Sequence, residues 1–286
     1  TRPDHLEGPQ IMARLEGKVA IISGSGRGIG QAVAIRLARE GARVVVNDLD
    51  DAPAEETVAA IKALGGDAIA CVGNVAAPDF GEVFVGAALA NFGALDIIVN
   101  NAGYNNDGMI QNQTDAQFQE MIDVHVTAPF RILRAASEHW RVMAKREAAE
   151  GREVIRKVVN VSSVAGTQGN AGQVSYSSAK AAIVGMTKTL SKEWGRLKVC
   201  VNCVAFGLVE TRLTKPNTEI ESRFEIEGRK IKMGLPPAIL DSLQTLVPLG
   251  RLGSVEEAAG SIYFLCSPDS DYVSGQVLLV TGGASF

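Results

Sequence analysis

Tyr176 and Lys180 stand four residues apart in the run YSSAK, with Ser163 thirteen residues upstream. On a helix, positions i and i+4 share a face, so this spacing would set a phenol beside an ammonium group. A free tyrosine hydroxyl titrates near pH ~10, too high for a proton shuttle at neutral pH, and a nearby cation lowers it. A serine hydroxyl donating to the same substrate oxygen completes what is needed to interconvert a carbonyl and an alcohol. Tyrosine followed by lysine one turn later is also common on solvated helix faces. The pair therefore gains its meaning from the elements that position it.

The segment KVAIISGSGRGIGQAVAIRLAREGARVVVND reads as strand, glycine-rich turn, amphipathic helix and strand. Lys18 to Ser23 is a short β-branched run, and Ile29, Val33, Ala34, Leu37 and Ala38 recur at helical spacing. Such a turn aims backbone N–H groups at a phosphate, and the helix dipole adds to the attraction. The spacing is GxxxGxG through Gly24, Gly28 and Gly30, with Gly26 as an extra. Ser25, Gly26, Arg27 and Ile29 fall inside this turn and join its glycines as candidate cofactor-binding residues. Asp48 ends the second strand, eighteen residues after Gly30, where a carboxylate can accept both hydroxyls of an adenine ribose. It would repel a 2′-phosphate, so NAD is expected over NADP, with Arg27 as the competing feature.

Strand-like runs recur at Val19, Val44, Ala68, Ile97, Val158, Val199 and Val277, with helical patterns between them. Helices filling each crossover imply a parallel sheet. The expected fold is α/β, a single-domain Rossmann fold whose doubly wound seven-stranded parallel sheet lies between helix layers. That domain runs over 13–286, with 1–12 as a mobile N-terminal extension. The 286 residues, 46% hydrophobic, suffice for one substantial core. A net charge of −4 argues against nucleic-acid binding. No apolar run reaches the ~18 residues of a membrane span and no signal-peptide pattern opens the chain, so a cytoplasmic location is expected. Cys200 and Cys203 form a CxxC within a strand-like run, which would send them to opposite faces as buried thiols, and no metal site is expected. The charged stretch Ala144 to Arg156 reads as a helix extension or solvated loop.

With SGSGRGIG, NNAG at Asn100 to Gly103, Ser163 and the Tyr176/Lys180 pair in this order, the chain resembles the short-chain dehydrogenase/reductase family from Lys18 to Gly283. The resemblance implies that Asn101, Ala102 and Gly103 lie against the cofactor. Asn74 and Val75 would flank the adenine, with Asn74 standing where the family more often has Asp and acting through its amide oxygen. Lys180 would also hold the nicotinamide ribose, and Gly207, Val209 and Thr211 would border the carboxamide and pyrophosphate. Ser163 is preferred to Ser162 by its distance from the tyrosine. The segment 208–246 would form the substrate lid.

Two positions depart from the family pattern. His125, in VHVTAPF, replaces an asparagine whose main-chain carbonyl holds a relay water, so His125 joins the catalytic set as the residue that positions this water. Phe206 replaces a proline, which puts the rigidity of the following loop in question. The runs GTQGNAGQ and VHVTAPF resemble acyl-processing members, 3-oxoacyl-ACP reductases and 3-hydroxyacyl-CoA dehydrogenases. This implies a 3-oxoacyl or 3-hydroxyacyl thioester as substrate, with steroid, terpenoid or polyol dehydrogenation as the alternative. A non-catalytic nucleotide sensor or scaffold is the alternative of another class. Between Arg212 and Met233, six basic residues oppose four glutamates, and a phosphate-bearing partner such as acyl-CoA or acyl carrier protein would be drawn there, unless this is an ordinary charged helix face. The apolar stretch from Phe118 to Trp140 suggests core with a subunit contact, and the resemblance implies a homotetramer or homodimer.

Overall fold

Parallel strands covered on both faces need apolar residues at successive positions, which is why the short β-branched runs become strands. In β1 (Val19–Ile22), Val19 and Ile21 enter one core layer while Ala20 and Ile22 enter the other. The same division recurs in β4 (Ile97–Asn100), where Ile97 and Val99 oppose Ile98. The computed structural model describes residues 13–211 and 245–284, together with the backbone of 223–226 and 229–232. With β2 (Arg43–Val46), β3 (Ala68–Ala70), β5 (Arg156–Ser163), β6 (Val199–Phe206) and β9 (Val277–Val280), these strands form a seven-stranded sheet in the order β3-β2-β1-β4-β5-β6-β9. Every pairing in it is parallel. All seven expected runs are strands of this sheet.

Helices α1 (Gly28–Arg39), α2 (Asp51–Ala63) and α8 (Val255–Cys266) cover one face of the sheet. On the other lie α3 (Phe80–Phe92) and α5 (Ala128–Ala149), with α7 (Val174–Trp194) packed on β5 and β6. Trp140 of α5 and Trp194 of α7 meet edge to face at 5.5 Å, and the Trp140 indole donates to the Leu95 carbonyl at 2.8 Å. The stretch from Phe118 to Trp140 is not one regular helix. It comprises α4 (Asp115–Ile122), one π turn over Asp123–Thr127, and α5. Strand order reverses between β1 and β4, and in such sheets ligands bind at the strands' carboxyl ends beside this switch.

A buried polar chain fixes how α7 sits on the sheet. Asn100 Nδ2 donates to Asn160 Oδ1 at 2.8 Å, and Asn160 Nδ2 donates to Thr187 Oγ1 at 2.9 Å. These bonds join β4, β5 and α7, and leaving any of them unmade in the core would cost about 1–3 kcal/mol.

Three expectations need correction or limits. The charged stretch Ala144 to Arg156 does extend α5, but two of its charges are not solvated. Glu147 and Arg156 form a two-bonded ion pair, 2.9 and 2.5 Å, whose side chains are 6% and 4% exposed. The chain folds back after α5, and that return covers both groups. Residues 1–12 and most of the expected lid over 208–246, including much of its basic segment, lie outside the described residues. Within that lid, the backbone described at β7 (Arg223–Ile226) and β8 (Arg229–Lys232) is an antiparallel hairpin, so these residues are strand and not helix. All four cysteines are free and buried, Cys200 and Cys203 among them, as the strand spacing implied.

Candidate active site

The glycine turn between β1 and α1 opens a cleft of about 940 Å³ along the carboxyl ends of the strands. Gly24, Arg27, Gly28, Ile29, Gly30, Asp48, Asn74, Val75, Asn101, Ala102, Gly103, Gly207, Val209 and Thr211 all line it. Gly24 and Gly28 hold φ of +62° and +55°, which a side chain would strain, and nothing lies within 4 Å of a Cβ built on Gly28. A Cβ on Gly30 would fall 2.2 Å from the Gly24 carbonyl, so this glycine lets the helix start pack on the turn. Arg27 occupies the N-cap of α1 without a side-chain cap, and no acid stands in the first turn. The first amide groups of α1 are thus left for an anion.

Ser25 and Gly26, both expected at the cofactor, do not line this cleft. Ser25 is wholly buried, donating its hydroxyl to the Ile22 carbonyl at 2.7 Å and its N–H to the Asn47 carbonyl at 2.6 Å. A Cβ on Gly26 would sit 2.5 Å from Asp48 Oδ2, so this glycine makes room for the carboxylate. Asn101 stitches the turn to β4, its Nδ2 donating to the carbonyls of Ser23 and Gly24 at 3.1 and 2.9 Å. Asn74 Oδ1, expected to meet the adenine, accepts the Ala76 N–H at 2.9 Å. Asp48 is buried, and its Oδ1 accepts from Arg27 Nη1 at 3.3 Å while Asp50 Oδ2 accepts from the same nitrogen at 3.0 Å. Two carboxylates therefore share one guanidinium at the expected ribose position.

At the other end, Ser163, Tyr176, Lys180 and His125 converge on the same cleft. Ser163 ends β5 and caps α6 (Val164–Gln168), accepting the Ala165 N–H at 3.2 Å. Ser162 instead donates to the Lys180 carbonyl at 2.8 Å, which favours Ser163 as the residue presented to a ligand. Lys180 Nζ donates to the Val161 carbonyl at 2.8 Å and lies 5.6 Å from the centre of the Tyr176 ring. The expectation that this ammonium sets the phenol's pKa does not hold for the chain alone. Burial pushes Tyr176 up to about 12 against a hydrogen bond from Ser163, and burial takes Lys180 down to about 8. Desolvation penalises both charged forms at once.

His125 lies within the π turn, 3% exposed, its ring edge-on to Tyr176 at 5.2 Å between centroids. Its Nε2–H donates to the Tyr104 carbonyl at 2.7 Å, and Nδ1 has no partner among the described residues. Burial first, then the Lys180 charge, hold its pKa well below the ordinary value, so the imidazole is neutral. Backbone bonds tie down the start of the loop beyond Phe206. Gly207 N–H donates to the Val280 carbonyl at 3.0 Å, and Glu210 N–H to that of Gly253 at 2.8 Å.

The family model described as short chain dehydrogenase matches residues 18–222. The chain belongs to this family. It is 35% identical over 269 residues to the 3-oxoacyl-[acyl-carrier-protein] reductase FabG of Vibrio cholerae, covering 94% of this chain and 98% of that one. It is 36% identical over 274 residues to the (2S)-[(R)-hydroxy(phenyl)methyl]succinyl-CoA dehydrogenase subunit BbsD of Thauera aromatica, covering 95% and 98%. A third relative, the short-chain reductase protein NovJ of Streptomyces niveus, is 35% identical over 265 residues, 93% of each chain. As a member of the family the protein is an oxidoreductase acting between CH–OH and keto groups with a nicotinamide cofactor. The uncapped helix start and the open α-carbon of Gly28 fit such a dinucleotide.

Sequence reasoning missed three contributors to this site. Asn47 accepts the Gly24 N–H at 3.1 Å and donates to the carbonyls of Cys71 and Gly73 at 3.0 and 3.1 Å, tying the glycine turn to the ends of β2 and β3. A lone polar residue closing the apolar run RVVV was the available signal. Asp107 and Gln173 line the cleft beside Tyr176 and bond each other at 2.9 Å across 66 residues of chain. No local pattern announces such a pair. Among the described residues, no cluster of potential metal ligands occurs and no helix is long and apolar enough to cross a membrane.

Proposed function

We propose that the protein interconverts a 3-oxoacyl and a 3-hydroxyacyl thioester, with Tyr176 as acid/base, Ser163 polarising the substrate oxygen, and Lys180 supporting both phenol and ribose. The convergence of Ser163, Tyr176 and Lys180 in the cleft opened by the glycine turn carries this reading. Half-buried and with its pKa raised by desolvation, Tyr176 holds its proton near neutral pH, which is the state required to protonate the oxygen of a ketone undergoing reduction. When bound, the nicotinamide supplies the hydride and, oxidised, a positive charge. Ser163 accepts a helix N–H, and its own hydrogen can go to the Tyr176 oxygen, to the substrate oxygen or to the Phe206 carbonyl, 3.5 Å away. His125, held in the π turn beside Tyr176, is assigned the positioning of a relay water. The thioester is supported by the relatives from V. cholerae and T. aromatica, a 3-oxoacyl-[acyl-carrier-protein] reductase and a succinyl-CoA-derivative dehydrogenase subunit.

NAD is proposed over NADP. Asp48 and Asp50 both engage Arg27, so this guanidinium is already neutralised where a 2′-phosphate would need it. The exposed Phe130 of α5 and the groove it forms with Met186 and Leu190 of α7 support the proposal of a homodimer or homotetramer joined through these helices. Steady-state reduction of acetoacetyl-CoA followed at 340 nm with NADH and with NADPH tests the first two parts. A higher kcat/KM with NADPH would overturn the role given to Asp48, and no turnover with either would overturn the thioester.

A further inference from the structure

One acidic side chain beside this corner stands outside the set of Ser163, Tyr176, Lys180 and His125. Asp107 lies in the loop after β4, on the wall of the cleft. Its Oδ2 accepts from Asn105 Nδ2 and from Gln173 Nε2, both at 2.9 Å. Gln173 Oε1 in turn accepts from Asn170 Nδ2 at 3.0 Å, and the backbones of the two loops join through Gly108 N–H and the Gly172 carbonyl at 2.8 Å. Gln173 is the N-cap of α7, three residues before Tyr176. The i, i+3 relation puts Gln173 and Tyr176 about one helical turn apart, and the Asp107 carboxylate bonded to Gln173 lines the same cleft as the phenol. Burial raises the Asp107 carboxyl above its ordinary value, and the two amide donors on its oxygen oppose that shift by favouring the ionised form. Around Tyr176 the charged and titratable groups are therefore Lys180 on its own helix, neutral His125 from the π turn and Asp107 from the β4 loop. Glu120 and Asp123 line the same cleft from α4 and the π turn. The Asp107 charge opposes ionisation of the phenol.

We propose that Asp107 is a charge filter for the substrate: the wall it forms with Gln173 and Asn170 admits neutral acyl derivatives such as thioesters and esters, and rejects free 3-oxo acids. The inference rests on the reading of Tyr176 as the group that meets the reacting oxygen. In a 3-oxo acid the carboxylate stands two carbons from the ketone, so seating the ketone at Tyr176 brings a second negative charge into a partly desolvated cleft beside Asp107. The thioester or ester of the same acid has no charge at that position. Like charges a few ångströms apart at such a site discriminate by about tenfold or more.

The test compares reduction of ethyl acetoacetate and acetoacetate by the full chain. The wild type should strongly prefer the ester. Asp107→Asn retains an oxygen for Gln173, and it should lower the ester-to-acid ratio of kcat/KM about tenfold. It should also move the rising limb of alcohol oxidation to lower pH, because the charge that raises the phenol's pKa is gone, whereas a merely structural role would leave this limb in place. An unchanged ester-to-acid ratio, or an unmoved limb, overturns the filter. Should the variant not fold, the wild type still decides the matter. Raising salt screens the repulsion and should narrow its ratio, and a salt-independent ratio overturns the proposal. Absence of ester turnover by the wild type sinks the filter together with the reading beneath it.

Discussion

Gly103→Ala isolates one contact on which the corner depends. The Gly103 backbone does not require a positive φ, so alanine is not excluded by conformation. Its new Cβ would nevertheless lie 2.2 Å from His125 Cε1 and 2.7 Å from Nδ1. The imidazole must then retreat by about 1.5 Å to reach ordinary contact. That movement breaks the Nε2–H bond to the Tyr104 carbonyl, now 2.7 Å, and presses the ring toward Tyr176, whose ring centre is 5.2 Å away. Overpacking of this kind costs about 1–3 kcal/mol, and the lost buried hydrogen bond adds about 1 kcal/mol. Urea denaturation of the cofactor-free protein should therefore place Gly103→Ala about 2–4 kcal/mol below the wild type. His125→Ala removes the obstacle, so the double variant should be more stable than the sum of the single effects by at least about 1 kcal/mol. A Gly103→Ala protein within about 0.5 kcal/mol of the wild type, or strict additivity in the cycle, would refute the packing of His125 on Gly103.

Tyr176→Phe should lower kcat by about 10²–10⁴ with cofactor affinity retained in a fluorescence titration, and a variant keeping a tenth of the activity would remove the phenol from the mechanism. Burial lowers Lys180 from 10.5 to about 8, so between these values the unfolded chain binds more protons than the folded one and stability rises with pH. Over that window the wild type should gain stability relative to Lys180→Met in parallel denaturation curves, and a difference independent of pH would contradict the buried ammonium. Glu147→Gln leaves the Arg156 cation buried without its partner and should cost about 3–5 kcal/mol. Replacing both residues by methionine should recover most of that loss, and failure to recover it would mean that the pair does more than compensate its own desolvation.

Local periodicity determined a large part of this protein before any folding. Seven short apolar runs are strands because a sheet covered on both faces needs successive apolar residues. The glycines open α1 because of what one turn of backbone requires, and the four-residue spacing sets Tyr176 and Lys180 on one side of α7 because a helix repeats every ~3.6 residues. These relations act within a turn or a strand and are therefore legible from residue types alone. What lies across the fold is not. Ser25 and Gly26 belong to the turn by sequence yet face the interior, because Asn47 and Asp48 of the next strand decide which side is cleft. The Glu147–Arg156 pair reads as two solvated charges until the return of the chain covers them. The phenol's pKa rises instead of falling because it depends on how much water the surrounding elements exclude, a quantity that no spacing encodes. Asp107 meets Gln173 only because the β4 loop and the start of α7 close on the same cleft, and that meeting is a property of the assembled sheet.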